Sequence, residues 1–290
     1  GKGVLYHIFL SLLDPSDEVV IITPYWVSYP EQVRLCGGVP VFVQCDPHTF
    51  AIDSEDLKAK VSAKTRIILI NSPSNPCGVV YTEEQLRLVA DLAQQHNSYI
   101  LSDEVYEHFY YGEKPRSIAS LHEDAYARTI IVNAVSKTYA MTGWRIGFVA
   151  AADKEVIAAY SRLQDHTQSN PCSIAQWAAV EAYTGSQDSV TVMRDAFRKR
   201  RDSMVQLLNA IPGLHCATPE GAFYCFPRYE LAMPSLQLAE QLLEEAHVVV
   251  MPGEPFGLEG YLRLSYAVAD EHIPAGIERL HAWFAAHPVI

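Results

Sequence analysis

The chain has 290 residues, a formal net charge of −12, and 49% hydrophobic against 19% charged residues. That balance can bury a large core and excludes the disordered, fibrous and membrane-spanning classes. The acidic excess argues against a nucleic-acid partner, which calls for a basic surface, yet it leaves room for a small anion in a local cationic pocket.

Leu5, Ile8, Phe9, Leu12 and Leu13 repeat at helical spacing and stop at Asp14-Pro15, which predicts a helix starting close to Gly1. Short apolar or β-branched runs follow at 18–23, 39–43, 66–70, 99–102, 129–135 and 146–151, with helical patterns such as 82–96 between several of them. Their near-continuous Val/Ile content implies strands covered on both faces, hence a mostly parallel sheet sandwiched by helices. The patterns at 154–183 and 188–210 are helical, and the charged run from Arg194 to Asp202 is expected to be a solvated face. Further strands are expected at 221–227, 248–251 and 261–266, and helices at 235–246 and 273–286. The expected fold class is α/β: a large domain over 1–187, followed by a smaller C-terminal α+β domain over 188–290.

No apolar run is long enough to span a bilayer. Six cysteines without a C-x-x-C pair are expected to be reduced thiols of a cytoplasmic protein, and the histidines form no H-E-x-x-H motif. Because the chain opens on Gly1 rather than Met and runs straight into an apolar repeat, the start reads as a cut, and targeting information would have been lost with it.

Between Arg128 and Asp153 the only charged side chains are two cations, Lys137 and Arg145, set between apolar flanks. Buried charges are seldom left unpaired, so an anion from elsewhere is needed unless the two simply face solvent. A lysine just past a buried strand loses solvation and becomes an amine nucleophile. Arg145 can grip a phosphate with its fork of donors, and Ser136 can add a hydroxyl. Together they point to a covalently held, phosphorylated carbonyl cofactor.

The run at 99–102 leads into Asp103-Glu104-Val105-Tyr106, a carboxylate and a phenol at the strand edge where open α/β sheets bind ligands. An Asp there can equally cap a helix. Two prolines stiffen the turn from Asn71 to Gly78, which makes Asn75 either a well-oriented donor or part of a structural turn. Trp26 can stack on a flat heterocycle or pack in the core. Gly1-Lys2-Gly3 ahead of the first helix offers free backbone N–H groups as an anion seat. Arg263 sits in a strand alternation, either on a polar outer face or as a bidentate clamp for a carboxylate.

Asn-Ser-Pro-Ser-Asn-Pro-Cys-Gly (71–78), Ser-Asp-Glu-Val-Tyr (102–106), Ser-Lys-Thr-Tyr-Ala-Met-Thr-Gly-Trp-Arg-Ile-Gly (136–147), Gly-Ala-Phe-Tyr (221–224) and Arg-Leu-Ser-Tyr (263–266) occur in a familiar order. In these motifs the chain resembles the fold-type I, class I pyridoxal-phosphate aminotransferases, in the aspartate aminotransferase branch of bacteria and archaea, over essentially its whole length. The resemblance implies that Lys137 forms a Schiff base with pyridoxal 5'-phosphate and later moves the substrate proton. It implies Asp103 at the pyridinium nitrogen, Tyr106 and Asn75 at the phenolic oxygen, and Trp26 on the ring. Ser136, Arg145 and the amides of Gly1 and Lys2 would take the phosphate. Arg263 would clamp the substrate α-carboxylate beside Asn75 and Trp26, and Lys2 would meet the distal carboxylate of aspartate or glutamate, unless it is a solvent-facing loop lysine.

The implied reaction moves an amino group from an L-amino acid to a 2-oxo acid, with aspartate and 2-oxoglutarate as the leading pair, in a homodimer. Aromatic, kynurenine or alanine aminotransferase, C–S lyase, oxidase and an inactive fragment are the alternatives. Cys77 stands where the family usually has Thr, a change expected to touch the turn rather than the chemistry. Family members usually carry roughly a hundred further residues before this start, about the size of a small domain, so reduced or absent activity is expected of the chain as it stands.

Overall fold

Six strands build one sheet; the four inner ones alternate their side chains between two buried faces, the two edge ones are part-exposed, and this alternation sets which residues reach the ligand edge. The computed structural model describes residues 1–287. In chain order the first part holds α1 (Lys2–Leu12), β1 (Glu18–Ile22), α2 (Ser28–Leu35), β2 (Val39–Val43), α3 (Ser54–Lys60), β3 (Thr65–Asn71), α4 (Glu83–Gln95) and β4 (Tyr99–Asp103). It continues with α5 (Glu123–Arg128), β5 (Thr129–Ala134), α6 (Val135–Thr138), β6 (Gly147–Ala151), α7 (Lys154–Thr167) and α8 (Ser173–Thr184). The strand order is β2-β1-β3-β4-β5-β6, with all neighbours parallel except the β5–β6 pair, which is antiparallel.

Val19, Ile21, Ile67, Leu69 and Leu101 pack toward α1, α2 and α7, while Val20, Ile22, Ile68, Ile70 and Ile100 pack toward α4 and α5. Burying a side chain of this size contributes roughly 1.5–3 kcal/mol. The same alternation puts Asn71 and Asp103, which are direct partners in the β3–β4 register, on the α1/α2 face at the carboxyl edge. α4 begins with a complete capping box between Thr82 and Gln85 and buries Leu86, Val89, Ala90 and Ala93 along one face.

The remainder holds α9 (Asp188–Asn209), β7 (Leu214–His215), β8 (Tyr224–Cys225), β9 (Arg228–Tyr229), α10 (Ser235–Glu245), β10 (Met251–Pro252), β11 (Leu262–Ser265) and α11 (His272–Ala286). β10, β11 and β8 form an antiparallel sheet, and β7 pairs with β9. A separate apolar cluster joins α9, α10 and α11 through Phe197, Leu208, Leu238, Leu242, Leu280 and Trp283. It also takes in Tyr106 and Phe109 from the first part of the chain.

Four expectations need correction, the first being the run at 248–251, of which only Met251 is strand, in β10. The helical pattern at 154–183 is two helices, because the chain turns at Ser169 (φ +57°) and Pro171 cannot continue the hydrogen-bond ladder. The run at 221–227 keeps only Tyr224–Cys225 as strand, Ala222 having turned into the left-handed region at φ +57°. The charged run on α9 is not uniformly solvated: Arg201 is mostly covered, donates to the Pro219 carbonyl at 3.0 Å and lies 4.6 Å from the Tyr111 ring centroid.

α1 reaches the sheet edge because Gly147 has no side chain. A Cβ there would stand 2.5 Å from the Gly1 nitrogen and 3.1 Å from the Asn133 carbonyl oxygen. Gly147→Ala is therefore expected to cost about 1–3 kcal/mol, read as a lowered thermal midpoint; an unchanged melt would show that the two segments are not in contact.

Candidate active site

All ten residues singled out from the sequence line one cavity of about 310 Å³ at the carboxyl edge of the sheet. α1 contributes Gly1 and Lys2, the segment before α2 gives Trp26, and the turn after β3 gives Asn75. Asp103 ends β4 and Tyr106 lies in the turn after it, Ser136 and Lys137 come from α6, Arg145 from the loop before β6, and Arg263 from β11.

Besides Lys2, three cations, Lys137, Arg145 and Arg263, share this space, and among the described residues none is paired with a carboxylate. Arg145 holds a left-handed backbone (φ +58°, ψ 42°) and donates to the Thr142 carbonyl at 2.7 Å, an unusual conformation for a bulky residue. Arg263 is half-buried, donates to Asn75 Oδ1 at 2.9 Å, and lies 4.6 Å from the Tyr224 ring centroid and 4.8 Å from that of Phe256. This answers the open question about its strand position: it faces the cavity. Lys137 Nζ lies 5.5 Å from the Phe223 ring centroid. Burial, reinforced by the charges of Arg263 and Arg145, holds the Lys137 amine below its ordinary range, which favours the neutral, nucleophilic form.

The acid that faces them is Asp103, which is buried. One carboxylate oxygen accepts from the Tyr29 hydroxyl at 2.8 Å, and the other from the Val105 N–H at 3.2 Å, so it closes a turn and caps no helix. Burial raises its pKa, and those two donors partly offset the rise. Asn71 Nδ2 donates to the Asp103 carbonyl, and Asn71 Oδ1 accepts from the Asn75 N–H, both at 2.9 Å. The Tyr106 and Tyr224 hydroxyls lie 3.0 Å apart.

The α1 N-terminus has no side-chain cap, which leaves its first amide donors for a ligand. Gln32 Nε2 holds the Lys2 carbonyl at 3.0 Å. Lys2 is exposed, with Nζ 4.9 Å from the Trp26 ring centroid. Cys77 is buried with Sγ 2.8 Å from Ser74 Oγ, and burial pushes its thiol up to about 11. It packs inside the turn.

Sequence reasoning missed Tyr29, Tyr224 and Asn71. Tyr29 lies one helical turn past Trp26 and Asn71 opens the proline turn, but neither spacing announces a bond to Asp103. Tyr224 ends the Gly-Ala-Phe-Tyr motif, which on its own assigns no role.

A buried carboxylate, a partly desolvated amine, and an arginine beside a helix N-terminus form a donor set for a flat basic ring that carries an aldehyde and a phosphate. Residues 1–280 match the family model described as aminotransferase class I and II. The chain belongs to that family. It is 46% identical over 294 residues to an aspartate aminotransferase of Geobacillus stearothermophilus, covering 99% of this chain and 75% of the relative. A probable aspartate/prephenate aminotransferase of Aquifex aeolicus is 46% identical over 288 residues, covering 97% and 73%. The fold matches a Thermus thermophilus aspartate aminotransferase structure with maleate at TM-score 0.93 and 41% identity, covering 97% of this chain and 74% of that one. An aromatic aminotransferase of Pyrococcus horikoshii matches at TM-score 0.94 and 39% identity, covering 99% and 78%. This aminotransferase uses pyridoxal phosphate to move an amino group between an amino acid and a 2-oxo acid, and it groups with the bacterial aspartate aminotransferases. No helix among the described residues is long and apolar enough to cross a membrane.

Because Asp103 keeps its proton to higher pH when folded than when unfolded, its contribution is fully present below the unfolded carboxylate range and is lost as pH rises through the folded value. In the cofactor-free protein, Asp103→Asn is expected to melt above the wild type at neutral pH. The gap should close as pH falls toward the ordinary aspartate range; a gap independent of pH would rule out this burial effect.

Proposed function

We propose that this aminotransferase takes its amino group from aspartate and passes it to 2-oxoglutarate, with Lys137 as nucleophile and proton carrier. The observation that carries the reading is the convergence of Lys137, Arg145 and Arg263 on one cavity without protein carboxylates of their own, opposite the buried Asp103. Pyridoxal phosphate supplies an aldehyde that accepts the amino group and a ring that withdraws electrons from the substrate α-carbon.

In this reading Asp103 meets the ring nitrogen, with Tyr29 fixing the carboxylate in place. Its ionised form is favoured once a cation stands beside it. Tyr106 and Asn75 meet the ring oxygen, and Trp26 covers a ring face. Arg145, Ser136 and the amides of Gly1 and Lys2 hold the phosphate, in keeping with an uncapped helix end and an arginine fork. Arg263 takes the α-carboxylate while its bond to Asn75 keeps it oriented. The depressed Lys137 amine can act as nucleophile and then hold the α-proton. Lys2 at the cavity mouth takes the distal carboxylate, which favours aspartate over alanine or an aromatic amino acid. The test is the absorbance change of the cofactor-loaded protein on adding each amino acid. Lys2→Gln is expected to weaken the response to aspartate by roughly 10–100-fold, the worth of one charge-assisted contact, and to leave alanine nearly unaffected. Equal losses on both would remove the distal role.

We place the boundary between large and small domains at 187/188, a division supported by the separate apolar cluster of α9, α10 and α11. The scattered, unpaired cysteines support a cytoplasmic setting. The working form is a homodimer. α8 carries Ile174 (72% exposed), Trp177 (73%), Val180 and Tyr183 along its outer side, and Phe148 packs edge-on to Tyr183. So large an apolar face calls for a cover, and a second copy supplies one. Sedimentation is expected to give a dimer and Trp177→Glu a monomer; a monomeric wild type would sink this assignment.

A further inference from the structure

Tyr224 touches two of the groups assigned above and has no role in that scheme. It lies on β8 directly opposite Ser265 of β11, so Arg263, two residues along the same strand, is its diagonal neighbour on the same face. The turn that brings it there is fixed. Gly221 is pressed against Pro73 and Phe109, where an added Cβ would come within 2.5 Å of the Pro73 side chain. Ala222 has a left-handed backbone, and its carbonyl accepts from the Tyr111 hydroxyl and, at 3.3 Å, from Tyr266.

Tyr224 is itself buried, with its ring 4.6 Å from the Arg263 guanidinium and its hydroxyl 3.0 Å from that of Tyr106. Arg263 has a single side-chain acceptor, Asn75 Oδ1, among the described residues, and two aromatic faces supply the rest of its surroundings. A cation between π-faces keeps its remaining N–H donors free for an incoming carboxylate. Two phenols at 3.0 Å share one hydrogen between them. If Tyr224 is the donor, the Tyr106 proton is free to point into the cavity.

We propose that Tyr224 is a positioning residue with two separable actions: its hydroxyl directs the Tyr106 proton toward the cofactor's ring oxygen, and its ring holds the Arg263 guanidinium for the substrate carboxylate. This rests on the reading in which Tyr106 meets the ring oxygen and Arg263 the α-carboxylate. Burial keeps both phenols protonated over the working range, as the arrangement requires. With the cofactor bound, a directed Tyr106 donor would favour the ionised ring oxygen and so lower the pH at which the loaded protein gives up its proton there. The charged groups around this pair are Asp103, Lys137, Arg145 and Arg263.

The two actions separate in the full chain loaded with pyridoxal phosphate, using maleate as a dicarboxylate probe. Tyr224→Phe is expected to raise the pH midpoint of the cofactor's absorbance change by about half a unit and to leave maleate affinity within about twofold. Tyr224→Leu is expected to add a roughly tenfold loss of maleate affinity, equivalent to about 1.4 kcal/mol; Tyr224→Met supplies the same test should the leucine variant not fold. In a Tyr106→Phe background, removing the Tyr224 hydroxyl is expected to leave the midpoint where it is, because the hydroxyl acts only through Tyr106. An unshifted midpoint in Tyr224→Phe overturns the first action, and wild-type maleate affinity in Tyr224→Leu overturns the second. A wild type that takes up no cofactor overturns the functional reading beneath both, whereas loss confined to the Tyr224 variants leaves that reading intact.

Discussion

The arrangement of this molecule follows from an excess of positive charge at one edge of a buried sheet. Lys137, Arg145 and Arg263 converge there without a carboxylate of their own, and Asp103, the acid in the same cavity, is tied to Tyr29 and the Val105 amide. Three cations so close together repel, and the protein alone offers them mainly carbonyl oxygens and aromatic faces. The cost is tolerable because the edge is open to an anion. A phosphate, a ring and a carboxylate arriving in turn each answer one of those charges.

Local rules then explain how the edge is built. The alternation that buries Ile67 and Leu69 against α1 and α2 also aims Asn71 at that face, and the pairing of β3 with β4 sets Asp103 beside it. From Asn71 a line of hydrogen bonds runs through the Asn75 amide and on from the Asn75 side chain to Arg263. Thus the acid at the back of the cavity and the clamp at its front, which come from distant parts of the chain, are fixed relative to each other by two carboxamides. Gly147 lets α1 approach closely enough to bring its amide donors to the same place.

Much of this was legible in the sequence because its signals are local. Continuous Val/Ile runs mark the doubly buried inner strands, and a segment whose only charges are Lys137 and Arg145 points to an anion, although the burial expected of both holds only for Lys137, Arg145 being exposed at the cavity. The parts that were not legible depend on distance. Tyr29 and Asp103 are 74 residues apart, and Tyr106 and Tyr224 are 118 apart, so no window of sequence contains either pair. The break between α7 and α8 was hidden because helical periodicity resumes on the far side of Pro171. The two-residue strands of the C-terminal part have no period to detect, since packing around Tyr224 and Cys225 defines them. Arg201 reads as a surface charge until Tyr111 is found beneath it.

The antiparallel last strand has a consequence of its own. A parallel strand after β5 would have needed a crossover that carried the chain to the opposite edge and back. With β6 running the other way, the excursion from Ala134 to Gly147 leaves and re-enters the sheet at the same edge, and the facing register of those two residues closes it like the neck of a loop. Lys137 near its start and Arg145 near its end are therefore spaced by a single hairpin connection. That connection is seated on α8, where Val135 and Ile146 pack against Ala175 and Ala179 and the Tyr139 ring meets Tyr183 edge-on, so a shift of this one helix would be felt by the amine and the guanidinium together.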